Sequence, residues 1–431
     1  MDAPVRSWGG YPRVRQEVLP LSRRDAALPA GNGTLLAHGN GRSYGDVCLN
    51  AGGTLLHTRG LDRFIAFDPD AGVLRCEAGV LLGEILDLIV PHGWFLPVLP
   101  GTQFVTVGGA IANDVHGKNH HRVGSFGHHV LRLELLRSDG QRLECSPHEH
   151  AALFAATVGG LGLTGLVTWA ELRLQRVSSP WLQAETLPFR GLEEFLALSA
   201  ASAASHDHTV AWIDCTARGA APGLFFRANA QPATRADPRR RRWSVSFTPP
   251  LSLVNRPGVR LFNTVYRAVH AQRRAPRLCH YRPYFFPLDA VTHWNRIYGP
   301  RGFLQHQCVI PTDVAPQALA EILQRVARDG GGSFLAVLKQ FGDQSAPGLL
   351  SFARPGITLA LDFPLHGATT LRLLDALDRV VADAGGAVYP AKDARMAGAD
   401  FRRFFPAWES MHAHIDPRFS SSFWRRVTED A

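Results

Sequence analysis

Hydrophobic positions fall into two textures along the chain. From about residue 31 to 175 they come as short apolar runs broken by glycine. Leu35–Ala37, Thr54–Thr58 and Val73–Cys76 read as strands between turns. Leu81, Leu82, Ile85, Leu88 and Ile89 recur at helical spacing, and Pro91 and Gly93 then stop the pattern, which predicts a helix over 81–90. Val130–Leu136 and Gln141–Glu144 flank Asp139-Gly140, a hairpin signal.

The C-terminal third carries a quasi-repeat. Gly302–Ile310 reads as a strand and Ala315–Ala327 as a helix with Leu319, Ile322, Leu323 and Val326 on one face; Phe334–Lys339 is again a strand. The second unit runs through Ile357–Phe363, a helix Thr370–Ala384 with Leu371, Leu374, Leu377 and Val381 inward, and an extended Ala387–Lys392. Gly385-Gly386 suits the helix C-cap, where positive φ is cheap only for glycine. Two such units predict a sheet covered by helices. Between the textures, residues 235–277 hold many arginines and the prolines Pro238, Pro249, Pro250, Pro257 and Pro276, and read as a loop-rich insertion.

Composition narrows the class. At 431 residues, 45% apolar and 19% charged, the chain has the means to bury a large core, so disordered and fibrous classes are excluded and two or three domains are expected. No apolar run reaches the ~18 residues of a spanning helix. Met1–Gly10 lacks the basic-then-apolar pattern of a secretory signal. Six scattered cysteines fit reduced thiols in a cytoplasmic protein. The formal charge of +9 invites an anionic partner, and the only lysines are Lys118, Lys339 and Lys392.

Three glycine-rich segments carry the candidate chemistry. The first, His38-Gly39-Asn40-Gly41-Arg42-Ser43-Tyr44-Gly45-Asp46, follows a strand; its glycines let backbone N–H groups converge on an anion. Tyr44 stands where a Rossmann fingerprint needs glycine, and no helical pattern follows. Gly117-Lys118 is followed by Asn119, which excludes a P-loop. The second segment, Pro100 to His129, has the density of small residues that lets a backbone approach a large planar ligand. Its five histidines include two adjacent pairs and no nearby Cys or Glu, a poor metal set. The third, Ala156 to Leu166, reads by itself as a helix end and a tight turn.

Together these segments resemble the flavin-binding domain of the vanillyl-alcohol-oxidase (PCMH-type) superfamily, and within it the decaprenylphosphoryl-β-D-ribose 2′-oxidase family. GRSYGD, PVLPGT, TVGGAIA, HGKNHH, GSFG, ATVGG and GLTG resemble its motifs in order, and the likeness continues through Trp212-Ile213-Asp214, Gly302-Phe303-Leu304-Gln305, Leu338-Lys339-Gln340-Phe341-Gly342, Asp362-Phe363-Pro364 and Ala391-Lys392-Asp393. It covers roughly residues 30–430 and is weakest over 218–280.

The resemblance implies an α+β, two-domain protein. The FAD-binding domain would be 1–178, completed by 387–431; the substrate domain, with an antiparallel or mixed sheet covered by helices, would be 179–386. It places FAD on Ala37, His38, Gly39, Asn40, Gly41, Arg42, Ser43, Tyr44, Gly45, Asp46, Val47, Gly101, Thr106, Val107, Gly108, Gly109, Asn113, Asp114, Val115, His116, Val167 and Tyr389. Arg42 stands where some members carry a flavin-linked histidine, which implies non-covalent FAD. Substrate would meet Tyr44, His116, Lys118, Gln307, Lys339, Asp362 and Lys392.

Removing a hydride from a secondary alcohol needs a route for the hydroxyl proton and positive charge near the developing anion. Lys392, Lys339 and His116 are the catalytic candidates, Lys392 foremost. The implied reaction oxidises the 2′-hydroxyl of a polyprenylphosphoryl ribose, with a short-chain dehydrogenase/reductase completing an epimerisation. The arginines of 235–277 suit the lipid phosphate or a peripheral membrane contact, whereas no recognition-helix pattern points to nucleic acid. Alternatives are a soluble sugar, alditol or aldonolactone oxidase, and a non-catalytic basic lipid-binding protein. Ala360 stands where mycobacterial members carry a cysteine, so the pocket is shaped differently there.

Overall fold

The computed structural model describes residues 5–429 except 218–220, 237, 239–242, 273–274 and 331. Its architecture is α+β, built on three main sheets. Glu17–Pro20, Thr54–His57 and Leu35–His38 form a small parallel sheet, in the order 17–20, 54–57, 35–38. Five antiparallel strands follow, ordered Phe64–Asp68, Val73–Glu77, Leu166–Arg173, Val130–Leu136 and Arg142–Cys145. The helix predicted at 81–90 is Leu82–Ile89, with Glu84 accepting a hydrogen bond from the Leu81 N–H at 2.7 Å.

Eight antiparallel strands make the large sheet. In spatial order they are Arg277–His280, Trp181–Phe189, Gly223–Ala230, His208–Ile213, Ala336–Phe341, Gly356–Pro364, Phe303–Ile310 and Ala387–Val388. Side chains alternate between its faces. Leu304, Leu338, Leu359, Leu361 and Phe363 pack with the helices Ala315–Arg325 and Ala368–Asp383 in one core. Phe303, one residue from Leu304, instead joins Tyr44, Trp294 and Tyr298 in a separate cluster on the opposite side. The quasi-repeat thus produces one sheet with a helix-covered face and a face left for chemistry.

Two expectations need correction. The stretch 235–277 is not simply loop: Arg256–Ala271 is a 16-residue helix. Asn255 caps it, accepting from the Gly258 N–H at 2.9 Å, and Pro257 sits in the first turn, where its missing N–H costs nothing. The proline read as a breaker is a start signal. Of the other arginines there, Arg239–Arg242, Arg273 and Arg274 lie outside the described residues. Likewise, 387–392 is extended only over Ala387–Val388; Pro390–Lys392 then forms a 3-10 turn, with φ preset by proline.

The chain end returns to the N-terminal region. Phe419 is buried with Leu35, Leu56, Leu136 and Leu166, while Arg426 pairs with Asp46 and Asp393 at 2.8 and 2.9 Å. On this basis we propose 1–178 with the returning 387–431 as one unit and 179–386 as the other, with Ala387–Val388 lending the second sheet its edge.

Candidate active site

A cavity of ≈ 520 Å³ lies between the glycine-rich loops and the free face of the large sheet. Alternation decides what the sheet contributes. Gln305 and Gln307 alternate inward on one strand, Leu335, Val337 and Lys339 lie at and along the strand two places over, and Ala360, on the strand between, sits opposite Gln307 and Val337. From the N-terminal part come Ala37, Gly39, Asn40, Gly41, Arg42, Ser43, Tyr44, Val47, Gly101, Thr106, Gly108, Gly109, Asn113, Val115, His116 and Val167, and from the C-terminal part Tyr389 and Lys392. The structure therefore gathers most of the expected positions around one space.

Others stand behind that wall and hold it. His38 Nδ1 lies 2.8 Å from the Cys48 carbonyl, and Asp46 is tied to Arg426. Asp114 accepts from the Gly127 N–H and from the Ser125 and Ser351 hydroxyls at 2.6–2.8 Å. Gly45 backs so closely on the Lys392 turn that a Cβ would lie 1.7 Å from the Asp393 carbonyl oxygen. Val107 is buried in the core. Lys118 also turns away from the cavity, donating to the Tyr284 carbonyl, with its amine 4.5 Å from the Tyr284 ring centre. Asp362 sits beneath the wall, accepting from Gln305 Nε2.

The wall presents unmet polar groups. Arg42 Nε, Asn113 Oδ1 and His116 Nδ1 are buried with no hydrogen-bond partner among the described residues. The backbone N–H groups of Asn40, Gly41, Arg42 and Ser43 likewise have no acceptor among them. Buried polar groups left unpaired are costly, so such a cluster marks where a ligand completes the structure. Successive free N–H groups suit an anion such as a pyrophosphate. At Gly39 a Cβ would come within 2.3 Å of Thr106 Oγ1, so glycine is what lets the two loops close on each other.

His116 is the most enclosed of the reactive groups. Gln307 Nε2 donates to its Nε2 at 3.0 Å, and Phe341, Phe352 and Tyr389 surround the ring. Burial, and then the positive charge of Lys339, hold its pKa well below the usual histidine range, so it is neutral. Burial pushes Lys339 down to about 8, which leaves it mainly protonated at neutral pH. Lys392 lies 3.9 Å from the Tyr44 ring centre. Burial lowers its pKa while nearby Asp362 opposes that, and burial raises the Asp362 carboxyl in turn. Neither lysine amine has a hydrogen-bond partner among the described residues, so a mainly protonated Lys339, a Lys392 that burial brings down to about 7 and a neutral imidazole border one space.

Several lining residues had no place in the sequence reading. Trp8 lies under the Arg42 guanidinium at 4.2 Å, and Asp289 accepts from the Gln103 N–H at 2.9 Å while opposing the Arg42 charge. Nothing local flags either. Gln305 was detectable, because it sits two residues from Gln307 on one strand and must share its face. The remaining histidines of the second segment serve local bonds: His120 Nδ1 accepts from the Gly342 N–H, and His129 Nε2 lies 3.0 Å from the Val123 carbonyl. Among the described residues no group of three His, Cys, Asp or Glu is placed to hold a metal.

Comparison with known proteins fits this geometry. A family described as FAD binding domain matches residues 27–146. The decaprenylphosphoryl-β-D-ribose oxidase of Mycolicibacterium smegmatis is 34% identical over 95% of this chain and 92% of its own. The chain belongs to that oxidase family. Shorter matches include mouse L-gulonolactone oxidase, 31% identical over 37% of this chain and 34% of its own, and human Delta(24)-sterol reductase, 33% identical over 30% and 25%. This family member is an FAD-dependent oxidoreductase acting on CH–OH groups. The N–H groups of residues 40–43 and Asn113 Oδ1, unpaired among the described residues, lie within the matched stretch.

Proposed function

We propose that this enzyme oxidises a sugar, namely the 2′-hydroxyl of a polyprenylphosphoryl-β-D-ribose, to the 2′-ketone, with FAD held non-covalently. The supporting observation is the convergence of Lys339, Lys392 and neutral His116 on one buried face. The full-length likeness to an oxidase whose name carries that substrate supports it further. A short-chain dehydrogenase/reductase would then reduce the ketone to the arabinose epimer. We place the reaction at the cytoplasmic side of a membrane.

Bound FAD supplies the hydride acceptor. The loop 39–43 and Asn113 hold it through their unmet polar groups, and Tyr389, whose hydroxyl donates to the Asn113 carbonyl at 2.8 Å, fixes that wall. On the substrate side, Lys392 and Lys339 hold negative charge that grows on the hydroxyl oxygen as its proton leaves. His116, kept neutral with its Nε2 accepting from Gln307, carries its hydrogen on Nδ1 and orients the hydroxyl oxygen from there. Lys392, whose pKa burial brings down to about 7, takes the hydroxyl proton in its neutral form; His116 is the rival acceptor, which must first give up its bond from Gln307.

A second reading, oxidation of a free sugar, alditol or aldonolactone, draws on Ala360, which faces the cavity where mycobacterial relatives carry a cysteine. Anaerobic flavin bleaching separates the two. The lipid phosphate should reduce the flavin and a free polyol should not; reduction by the free polyol alone overturns the first reading.

A further inference from the structure

Ten large hydrophobic side chains are exposed among the described residues, and eight fall between Trp243 and Val269. Trp243 and Phe247 are each 70% exposed, Leu251 77% and Leu261 67%. The helix Arg256–Ala271 sorts its residues cleanly. Val259 and Asn263 face inward, Asn263 Nδ2 donating to Asp214 at 2.8 Å, and Tyr266 meets Trp212 at a tilt, ring centres 5.0 Å apart. Leu261, Val265 and Val269, four residues apart, form an outward apolar stripe. Arg256, Arg260 and Arg267 fall together by helical spacing, on the side of the helix away from that stripe.

Charge sets this region apart from the rest of the chain. Between Asp237 and Asp289 there are eleven arginines and no Asp, Glu or Lys. The whole chain is formally +9, so everything outside this stretch sums to −2. The basic excess is therefore local, and it coincides with the exposed apolar residues. Patches of this kind are rare on soluble monomers unless something covers them. Exposed apolar side chains and an exposed Trp in an arginine-rich segment suit the interface of an anionic bilayer: the apolar groups enter the acyl boundary while the local positive charge favours lipid phosphate.

We propose that the 243–269 surface docks on an anionic lipid bilayer. Its position bears on catalysis. Trp243-Ser244 pairs with Val291-Thr292, which line the cavity, and Arg296 donates to the Val245 and Ser246 carbonyls at 2.9 and 3.0 Å. The membrane-facing segment is thus bonded to the cavity wall. Resting on the lipid-phosphate reading of the substrate, this puts the headgroup in the cavity while the prenyl chain stays with the bilayer. No helix among the described residues is long and apolar enough to cross a membrane, so the contact is peripheral.

The test is co-sedimentation of the FAD-loaded protein with phosphatidylcholine vesicles, with and without one quarter phosphatidylglycerol. Binding to the anionic vesicles should be at least about tenfold stronger and should fall in high salt. A Leu251→Glu/Leu261→Glu/Val265→Glu variant should lose that binding while keeping its flavin-to-protein absorbance ratio; the single Leu261→Ser variant, less demanding on folding, should lose part of it. Equal partitioning of wild type to both vesicle types, or no loss in a folded variant, overturns the proposal. So does an outcome in which the substitutions dissociate a dimer but leave vesicle binding alone. No sugar is present in this assay, so its failure and a failure of the substrate reading are separable.

Discussion

At the scale of single residues, the scarcity of lysine was the informative signal. Two of the three lysines line the cavity, and the third, Lys118, is buried against Tyr284 instead. Counting residue types therefore flagged buried cations without telling which would meet substrate. The GRSYGD and Gly108-Gly109 loops were legible because close backbone approach demands glycine. Trp8 and Asp289 were not, since their role depends on contacts between segments far apart in sequence. Lys392→Ala is expected to keep FAD yet abolish flavin reduction by substrate, measured by anaerobic stopped-flow absorbance. Unchanged reduction kinetics would remove Lys392 from the mechanism.

At the scale of elements, the two strand–helix–strand units were readable from periodicity, with boundaries off by one or two residues except at 387–392, where only Ala387–Val388 is strand. The helix at Arg256–Ala271 was missed because arginine and proline counts outweighed its 3.6-residue pattern. What periodicity leaves open is how an element is tied down. The Lys392 turn hangs on a buried cluster: Asp378, on the helix 368–383, meets His306 Nε2 at 3.0 Å and Arg395 at 2.8 Å. Removing one member of such a group leaves charge unpaired away from water. Asp378→Ala should lower unfolding stability by about 3 kcal/mol and weaken substrate-driven reduction by letting the 390–395 segment shift. Denaturant melts together with reduction rates check this; a wild-type midpoint would show the cluster contributes little.

At the scale of the whole molecule, charge and burial make pH a control. Burial lowers His38 to about 4, His120 and His208 to about 3, and His116 well below its ordinary value. In the unfolded chain each takes a proton near pH 6.5, whereas in the folded protein each stays neutral until far lower pH. The unfolded state thus binds more protons, and stability falls as pH drops below 6.5, by about 1.4 kcal/mol per histidine per pH unit. Asp362, Asp46, Asp114, Asp289 and Asp400, raised by burial, work in the opposite sense, but His57, His121, His129, His206 and His293 are lowered as well and add to the four. The melting temperature of the apoprotein should therefore fall steadily from pH 7 to 5; a flat profile would mean these rings are not held neutral. Net charge misled at this scale in a different way: +9 looked like a property of the whole chain, and it belongs to one stretch of the sequence, residues 238–288.

The central claim is oxidation at C2′ of a lipid-linked ribose, and its most direct measurement is anaerobic flavin bleaching by polyprenylphosphoryl ribose with hydrogen or deuterium at C2′. Full bleaching, slowed by the deuterium and accompanied by a ketone at C2′, is the predicted result. No bleaching by the lipid phosphate, or bleaching only by free polyols, would contradict it.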